Sequence, residues 1–354
     1  MEPVCSNETN SNSPCKPDCD LLVSRVKSSD TKGVREWLET WKQIPDLCRF
    51  FLACKPDIVC SAAEAGSLEI IDLLVLHGFK VYCTSVHAAA CRGHLKVIQK
   101  LVDELDLSVD SEDAEGRTPL MWSVYWGHVD IVAYLLSRGA CVDYVMKDIG
   151  VTSLFIAAHL GYTKIARQLL DAGADVNKIV GPVGCAFNKA VSVNKIDMAK
   201  LLVEKGAKID IPTDHGQNAF YLALVMNPDV EMVKFLLEIN FPLNEPNDRG
   251  HTAVFEGLCT APCIEVLLWV HLVVQSGYRV TKKDYEKARA RFANTEGKLV
   301  FEQLKTYMVN TRTLQQLCSF KIRQVLGVSP SPRVRRLPIP ASLKDYIELK
   351  HLTS

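Results

Sequence analysis

A block opening on threonine returns along this chain with a fixed beat. Thr118-Pro119-Leu120-Met121-Trp122-Ser123-Val124-Tyr125-Trp126-Gly127-His128 is echoed by Thr152-Ser153-Leu154-Phe155-Ile156-Ala157-Ala158-His159-Leu160-Gly161-Tyr162. The same slot upstream holds Thr84-Ser85-Val86-His87-Ala88-Ala89-Ala90-Cys91-Arg92-Gly93-His94. Thr84, Thr118 and Thr152 are 34 residues apart, and later copies open at Cys185, Asn218 and Thr252. A second marker keeps the beat: Leu135-Leu136 before Gly139-Ala140, Leu169-Leu170 before Gly173-Ala174, and Leu202-Val203 before Gly206-Ala207. In Leu236 to Asn240, asparagine replaces the glycine. Such a chain cannot build one central core. Each unit must bury its apolar face on its neighbours, which makes a solenoid.

The residue types account for the local structure. Threonine caps a helix start, and Pro119 takes the first helical position, where a missing N–H costs little. Small alanines let successive first helices approach closely. The Gly-His turn joins two short helices, and the later glycine ends the second in the left-handed region. Asp113 to Gly116, and Asp248 to Gly250 in a shorter version, mark hairpin tips. Between Gly78 and Thr84 the finger is trimmed. Before the repeats, Leu21, Leu22, Val26 and Val34, Trp37, Leu38, Trp41 form apolar faces at helical spacing, which predicts a helical pair.

The period and these markers resemble the ankyrin repeat. The fold expected is an all-α-type repeat solenoid, helix–turn–helix units with β-hairpin fingers, ended by a small helical box. The expected division is a disordered tail over 1–17, a helical N-terminal cap over 18–56, six to seven repeats over 57–280, a helical bridge over 281–310 and the box over 311–354. The resemblance implies that partners bind the hairpin tips and the inner face of the first helices. One repeat stands out there: Tyr125 and Trp126 precede the turn, with Trp122 one helical turn earlier. Aromatics on a rigid platform are favoured interface anchors. The substrate site is therefore expected at Trp122, Tyr125, Trp126 and the finger ending at Arg117, reaching Arg92 and His159. The alternative is that these rings pack on a neighbouring helix or on the cap.

The C-terminal segment reads as two elements. Thr313 to Gly327 places Leu314, Cys318, Ile322 and Leu326 on one helical face. Val334 to Ile347 carries Leu337-Pro338-Ile339-Pro340 ahead of a final apolar stretch. About forty residues make a marginal core, so these side chains dock on the repeats or on a partner. Leu-x-x-Leu-Cys-x-x-x-Ile-Arg-x-x-Leu-Gly followed by Leu-Pro-Ile-Pro resembles a SOCS box. With the repeats, the chain resembles the ankyrin-repeat and SOCS-box family. That resemblance implies contact of Leu314, Leu317, Cys318, Ile322 and Leu326 with Elongin C, which pairs with Elongin B. It also implies that Leu337, Pro338, Ile339 and Pro340 favour Cullin-5, which carries a RING-box protein. The implied role is a non-catalytic substrate adaptor of a ubiquitin ligase, and the rival is an ankyrin scaffold without ligase recruitment.

Composition excludes other classes. Lys and Arg number 41, as do Asp and Glu, so a neutral balance gives no reason to expect nucleic acid or a membrane surface as partner. The 13 cysteines are odd in number and scattered, which fits reduced thiols in the cytoplasm or nucleus. The start lacks the basic and apolar run of a signal peptide. Ile264 to Val274 is too short to span a membrane. No phosphate loop, dinucleotide glycine fingerprint or His-Glu-x-x-His occurs. Cys15 and Cys19 lack downstream zinc partners, so no metal and no cofactor is expected. His87, His94 and His128 occupy turn and capping slots, where a structural role is expected.

Overall fold

The structure, a computed structural model, describes residues 19–41, 56–147, 149–226, 229–260 and 282–292, with single positions between 272 and 280. The chain divides into two compact units at residues 148 and 149. The first holds α1 (Cys19–Lys27), α2 (Thr31–Trp41), α3 (Pro56–Glu64), α4 (Leu68–Leu76), α5 (Thr84–Arg92), α6 (Leu95–Gln99), α7 (Pro119–Tyr125) and α8 (Val129–Ser137). The second holds α9 (Ser153–Leu160), α10 (Thr163–Asp171), α11 (Ala186–Ser192), α12 (Ile196–Glu204), α13 (Ala219–Tyr221), α14 (Val230–Glu238), α15 (Ala253–Thr260) and α16 (Lys282–Phe292). Wider helical turns extend α6 through Glu104 and α13 through Met226.

The core is the repeat pattern made physical. Second helices bury residues at i, i+1 and i+4: Ile70, Ile71, Leu74, then Ile131, Val132, Leu135, then Met198, Ala199, Leu202. First helices bury small residues, among them Ala62, Ala63, Ala89, Ala90, Ala157 and Ala158. These let α3 lie on α5 and α5 on α7 in the first unit, and α9 on α11 in the second. Leu22, Val26, Val34 and Leu38 of the N-terminal pair are buried, with α1 on α3 and α2 on α4. Leu21, expected on the buried face, is exposed. It lies one position round the helix from Leu22, outside the stripe that meets α3. The side chain of Trp41 lies outside the described residues.

The caps follow the sequence with one exception. Thr118 accepts from the Met121 N–H at 3.4 Å, Thr152 from Phe155 at 3.3 Å and Asn218 from Tyr221 at 2.9 Å. Thr84 does not cap α5. It is the first helical residue, and Cys83 precedes it in helical conformation with no side-chain capping bond. The trimmed finger delivers the chain to α5 already turning, which leaves no extended residue for the cap.

The fingers are hydrogen-bonded turns, and among the described residues no strand is formed; one isolated antiparallel bridge joins Pro246 and Thr252. Asp113 N–H donates to Arg117 at 2.9 Å, Thr213 to Gln217 at 2.9 Å and Asn247 to His251 at 2.8 Å. The tip read as a shortened Asp248 to Gly250 is therefore full length, because Asn247 occupies the slot of Asp113. Its side chain accepts from the Arg249 and His251 N–H groups, both at 3.0 Å.

Neighbouring repeats are joined by rungs at the Gly-His turns. His94 Nε2 lies 3.0 Å from the Glu64 carbonyl, and His128 Nε2 lies 3.0 Å from that of Cys91. The glycine of the preceding turn makes room for each ring. A Cβ on Gly93 would stand 2.8 Å from the His128 ring, whereas one on Gly139 would meet nothing. Both glycines have positive φ, +86° and +82°. Buried His87 anchors the next finger, with Nε2 at 2.9 Å from the Ser111 carbonyl and 3.1 Å from that of Arg117.

At the other end, α16 packs on α15 through a buried polar tie. Tyr278 donates its hydroxyl to Asp284 at 2.9 Å and lies 2.8 Å from the Thr252 hydroxyl. Tyr278 and Asp284 are each 1% exposed. Burial, then the Asp284 charge, pushes the phenol well above its ordinary value, so it stays a donor. The expected bridge helix is described only as far as Phe292.

Two measurements test this account. Gly139→Ala should cost only its left-handed backbone, about 1 kcal/mol. Gly93→Ala must also displace a ring held by a hydrogen bond and should cost about 2–3 kcal/mol by denaturant unfolding; equal costs would remove the rung from the account. Tyr278→Phe leaves a buried carboxylate short of a donor, a loss of about 1–3 kcal/mol. Amide exchange should quicken across α16 and stay unchanged in α11 and α12.

Candidate protein-binding face

The turn before α7 and the last residues of that helix build one aromatic platform. Pro119 and the Thr118 cap fix where α7 starts. Helical spacing then sends Leu120, Met121 and Val124 into the core and leaves Tyr125 and Trp126 at the surface, 51% and 50% exposed. Trp122 is half-buried and serves as the strut beneath them. Its ring centroid lies 6.3 Å from that of Tyr125 at 82°, and Tyr125 lies 5.5 Å from Trp126 at 81°. Edge-to-face packing is the favourable arrangement for such quadrupoles. The three rings thus hold one another, and the outer surfaces of two remain open.

Ionic contacts lock the strut. The Trp122 indole donates to Asp113 at 2.8 Å, and the Arg117 guanidinium stacks 4.3 Å above the Trp122 ring. Arg117 also pairs with Asp113 at 3.2 Å and with Glu115. Burial acts to raise the Asp113 carboxyl, but the Arg117 N–H, the Trp122 indole and the Arg117 charge bring it below its ordinary value. Asp113 therefore ties the finger to the helix as an anion.

Of the residues expected at this face, Trp122, Tyr125, Trp126 and Arg117 come together in the first unit. Arg92 sits one repeat earlier and spends its guanidinium on Glu64, at 2.5 Å. Trp126 hydrogen-bonds the side chain of Cys91 beside it, and burial pushes that thiol above its ordinary value, away from nucleophilic behaviour. His159 belongs to the second unit, at the exposed end of α9. Asp113 was missed as a positioning residue. Its signal was present in the sequence, because an aspartate opening a turn caps that turn and can reach a side chain that follows.

Leu314, Leu317, Cys318, Ile322, Leu326 and Leu337, Pro338, Ile339, Pro340 lie outside the described residues. Among the described residues no group of side chains is arranged to hold a metal, the cysteines are free thiols, and no helix is long and apolar enough to cross a membrane.

Comparison with known families agrees with the repeats and reaches the undescribed end. Ankyrin repeat models match residues 59–148, 150–179 and 188–237, and a SOCS box model matches residues 310–348. Together these matches support membership of the ankyrin repeat and SOCS box protein family. Individual relatives share only part of their length with this chain. A putative palmitoyltransferase ZDHHC13 of Danio rerio is 32% identical over 37% of this chain and 20% of its own. The ankyrin repeat and KH domain-containing protein mask-1 of Caenorhabditis elegans is 30% identical over 43% and 6%. The probable 26S proteasome regulatory subunit p28 of Saccharomyces cerevisiae is 27% identical over 37% and 60%. The chain spans less than two thirds of each of them.

Replacing Tyr125 and Trp126 together with alanine should leave the unfolding midpoint within about 0.5 kcal/mol of the parent, since both rings are half exposed. The same variant should lose the partners that proximity labelling finds on the parent chain. Unfolding of the variant would return the two rings to a packing role.

Proposed function

We propose that this chain is the substrate-recognition subunit of an Elongin B/C–Cullin-5 ubiquitin ligase. The observation that carries the reading is a SOCS box match at residues 310–348 on the same chain as three stretches of ankyrin repeat. In this reading Leu314, Leu317, Cys318, Ile322 and Leu326 present one apolar helical face to Elongin C. An apolar stripe on a short helix suits a groove, and truncating its central anchors is costly. Leu337 to Pro340 meets Cullin-5. The prolines hold that stretch extended before binding, which lowers the ordering cost. A RING-box protein on the cullin brings the charged conjugating enzyme.

The chain itself performs no chemistry. Its task is to raise the local concentration of a target lysine near that enzyme. The platform of Trp122, Tyr125 and Trp126 captures the target, with Arg117 holding the platform and Arg92 and His159 at its margins. The tagged target goes on to proteasomal degradation. The complex works in the cytoplasm, extending to the nucleus. The tail over 1–17, the cap over 18–56, the repeats over 57–280, the bridge over 281–310 and the box over 311–354 are the functional divisions of this reading.

Co-purification tests it directly. Leu314→Ala with Cys318→Ala should weaken Elongin B/C recovery by about 2 kcal/mol or more, on the order of thirtyfold. Alanine across Leu337 to Pro340 should keep Elongin and lose Cullin-5. A parent chain that recovers no Elongin B/C would be a plain ankyrin scaffold.

A further inference from the structure

The two units carry opposite kinds of surface on their first helices. In the first unit the cations beside the aromatic platform are already spent: Arg92 on Glu64, and Arg117 on Asp113 and Glu115. In the second unit they are not. His159 ends α9 and is exposed, Lys189 lies on α11 and Lys195 follows it in the next turn. Lys189 and Lys195 form no ion pair among the described residues, whereas Lys205 and Lys234 of the same unit do.

Geometry brings the three cationic side chains together. α9 packs on α11. Lys189 reaches back across that contact, with its ammonium 5.8 Å from the centroid of the Phe155 ring on α9. Phe155 lies one helical turn before His159, so both sit on the same side of α9. The methylene stem of Lys195 lies over Gly161, where an added Cβ would stand 2.9 Å from its Cδ. Lys195 thereby fills the slot that a histidine ring takes in the first unit. Its ammonium extends toward solvent instead of closing on a backbone carbonyl. Burial, then Lys189, then Lys195, pushes the His159 imidazole below its ordinary value, and no carboxylate opposes them. Like charges gathered without a counter-charge disfavour the free state, and an anionic partner relieves that repulsion.

We propose that Lys189, Lys195 and His159, over the Phe155 ring, form a docking surface for a carboxylate-rich peptide segment. Charge complementarity selects the occupant, because the chain as a whole is neutral and this excess is local. Two lysines on adjacent helices suit carboxylates in extended chain, since ammonium groups act as point charges and place no demand on planar geometry. The inference deepens the capture half of the adaptor reading. It rests on that reading only in taking the bound segment to be part of a ligase target. Peptide binding is measured without Elongin or cullin, so failure of one is visible apart from failure of the other.

The experiment is fluorescence anisotropy of the full chain with a short labelled peptide rich in Glu and Asp. A Gln/Asn peptide of equal length serves as the neutral control, and a phosphoserine peptide with neutral flanks as the alternative anion. The acidic peptide should bind, with affinity falling steeply as salt rises. The variant with Lys189→Gln and Lys195→Gln should bind about tenfold more weakly or worse, a loss of about 1.4 kcal/mol. Its thermal unfolding should match the parent. Lys189→Arg with Lys195→Arg should restore binding. Equal binding of the neutral peptide, or undiminished binding by the glutamine variant, would overturn the assignment. Binding of the phosphoserine peptide alone would overturn the choice of carboxylates.

Discussion

Every repeat of this chain depends on burying an apolar face that it cannot cover alone. The close approach of first helices makes that possible, and alanine makes the approach possible. Ala62 and Ala63 meet the helix carrying Ala89 and Ala90, and the pattern recurs at Ala157 and Ala158. A larger side chain at these positions would wedge neighbours apart and expose the Ile and Leu triplets of the second helices. The Gly-His rung rests on the same closeness, because a ring in one turn reaches a carbonyl in the previous repeat only when the helices nearly touch. Finger, cap and platform follow from that stacking.

Much of this was legible in the residues themselves. A 34-residue beat is a strong signal because three markers hold one register, and each has its own backbone reason. The positive φ of Asn240, in the slot of a glycine, was readable from Leu236-Leu237 alone. The misreadings came where context outweighed spacing. Thr84 looks like its partners Thr118 and Thr152, but the preceding finger is short, and the entry path rather than the residue type decides a cap. Asp248 drew attention as an acid ahead of a glycine, while Asn247 does the same work with an amide oxygen. Leu21 shows the resolution limit of helical periodicity, since one residue is about 100° of rotation and decides between core and solvent.

The candidate face was legible in residue type and less so in electrostatic state. The sequence offered Arg92 and Arg117 as free cations for a partner. The structure pairs both with acids inside the repeats, at Glu64, Asp113 and Glu115, which makes them builders of the platform. Pairings across repeats cannot be read from a linear chain, because the acid and the base that meet are separated by about a repeat or folded over a finger. Exposure of Tyr125 and Trp126, by contrast, follows from their place at the end of a helix whose buried stripe is already full.

The joint at Gly161 and Lys195 also bears on mechanics. In the first unit, a histidine ring bonded to a carbonyl spans each such joint, and bonds of that kind resist shear until they break together. A methylene stem lying on a glycine has only contact to lose, and it can slide. Tension applied along the stack would therefore find one slippery seam among stapled ones. The chain would come apart there in a defined place rather than unravelling uniformly.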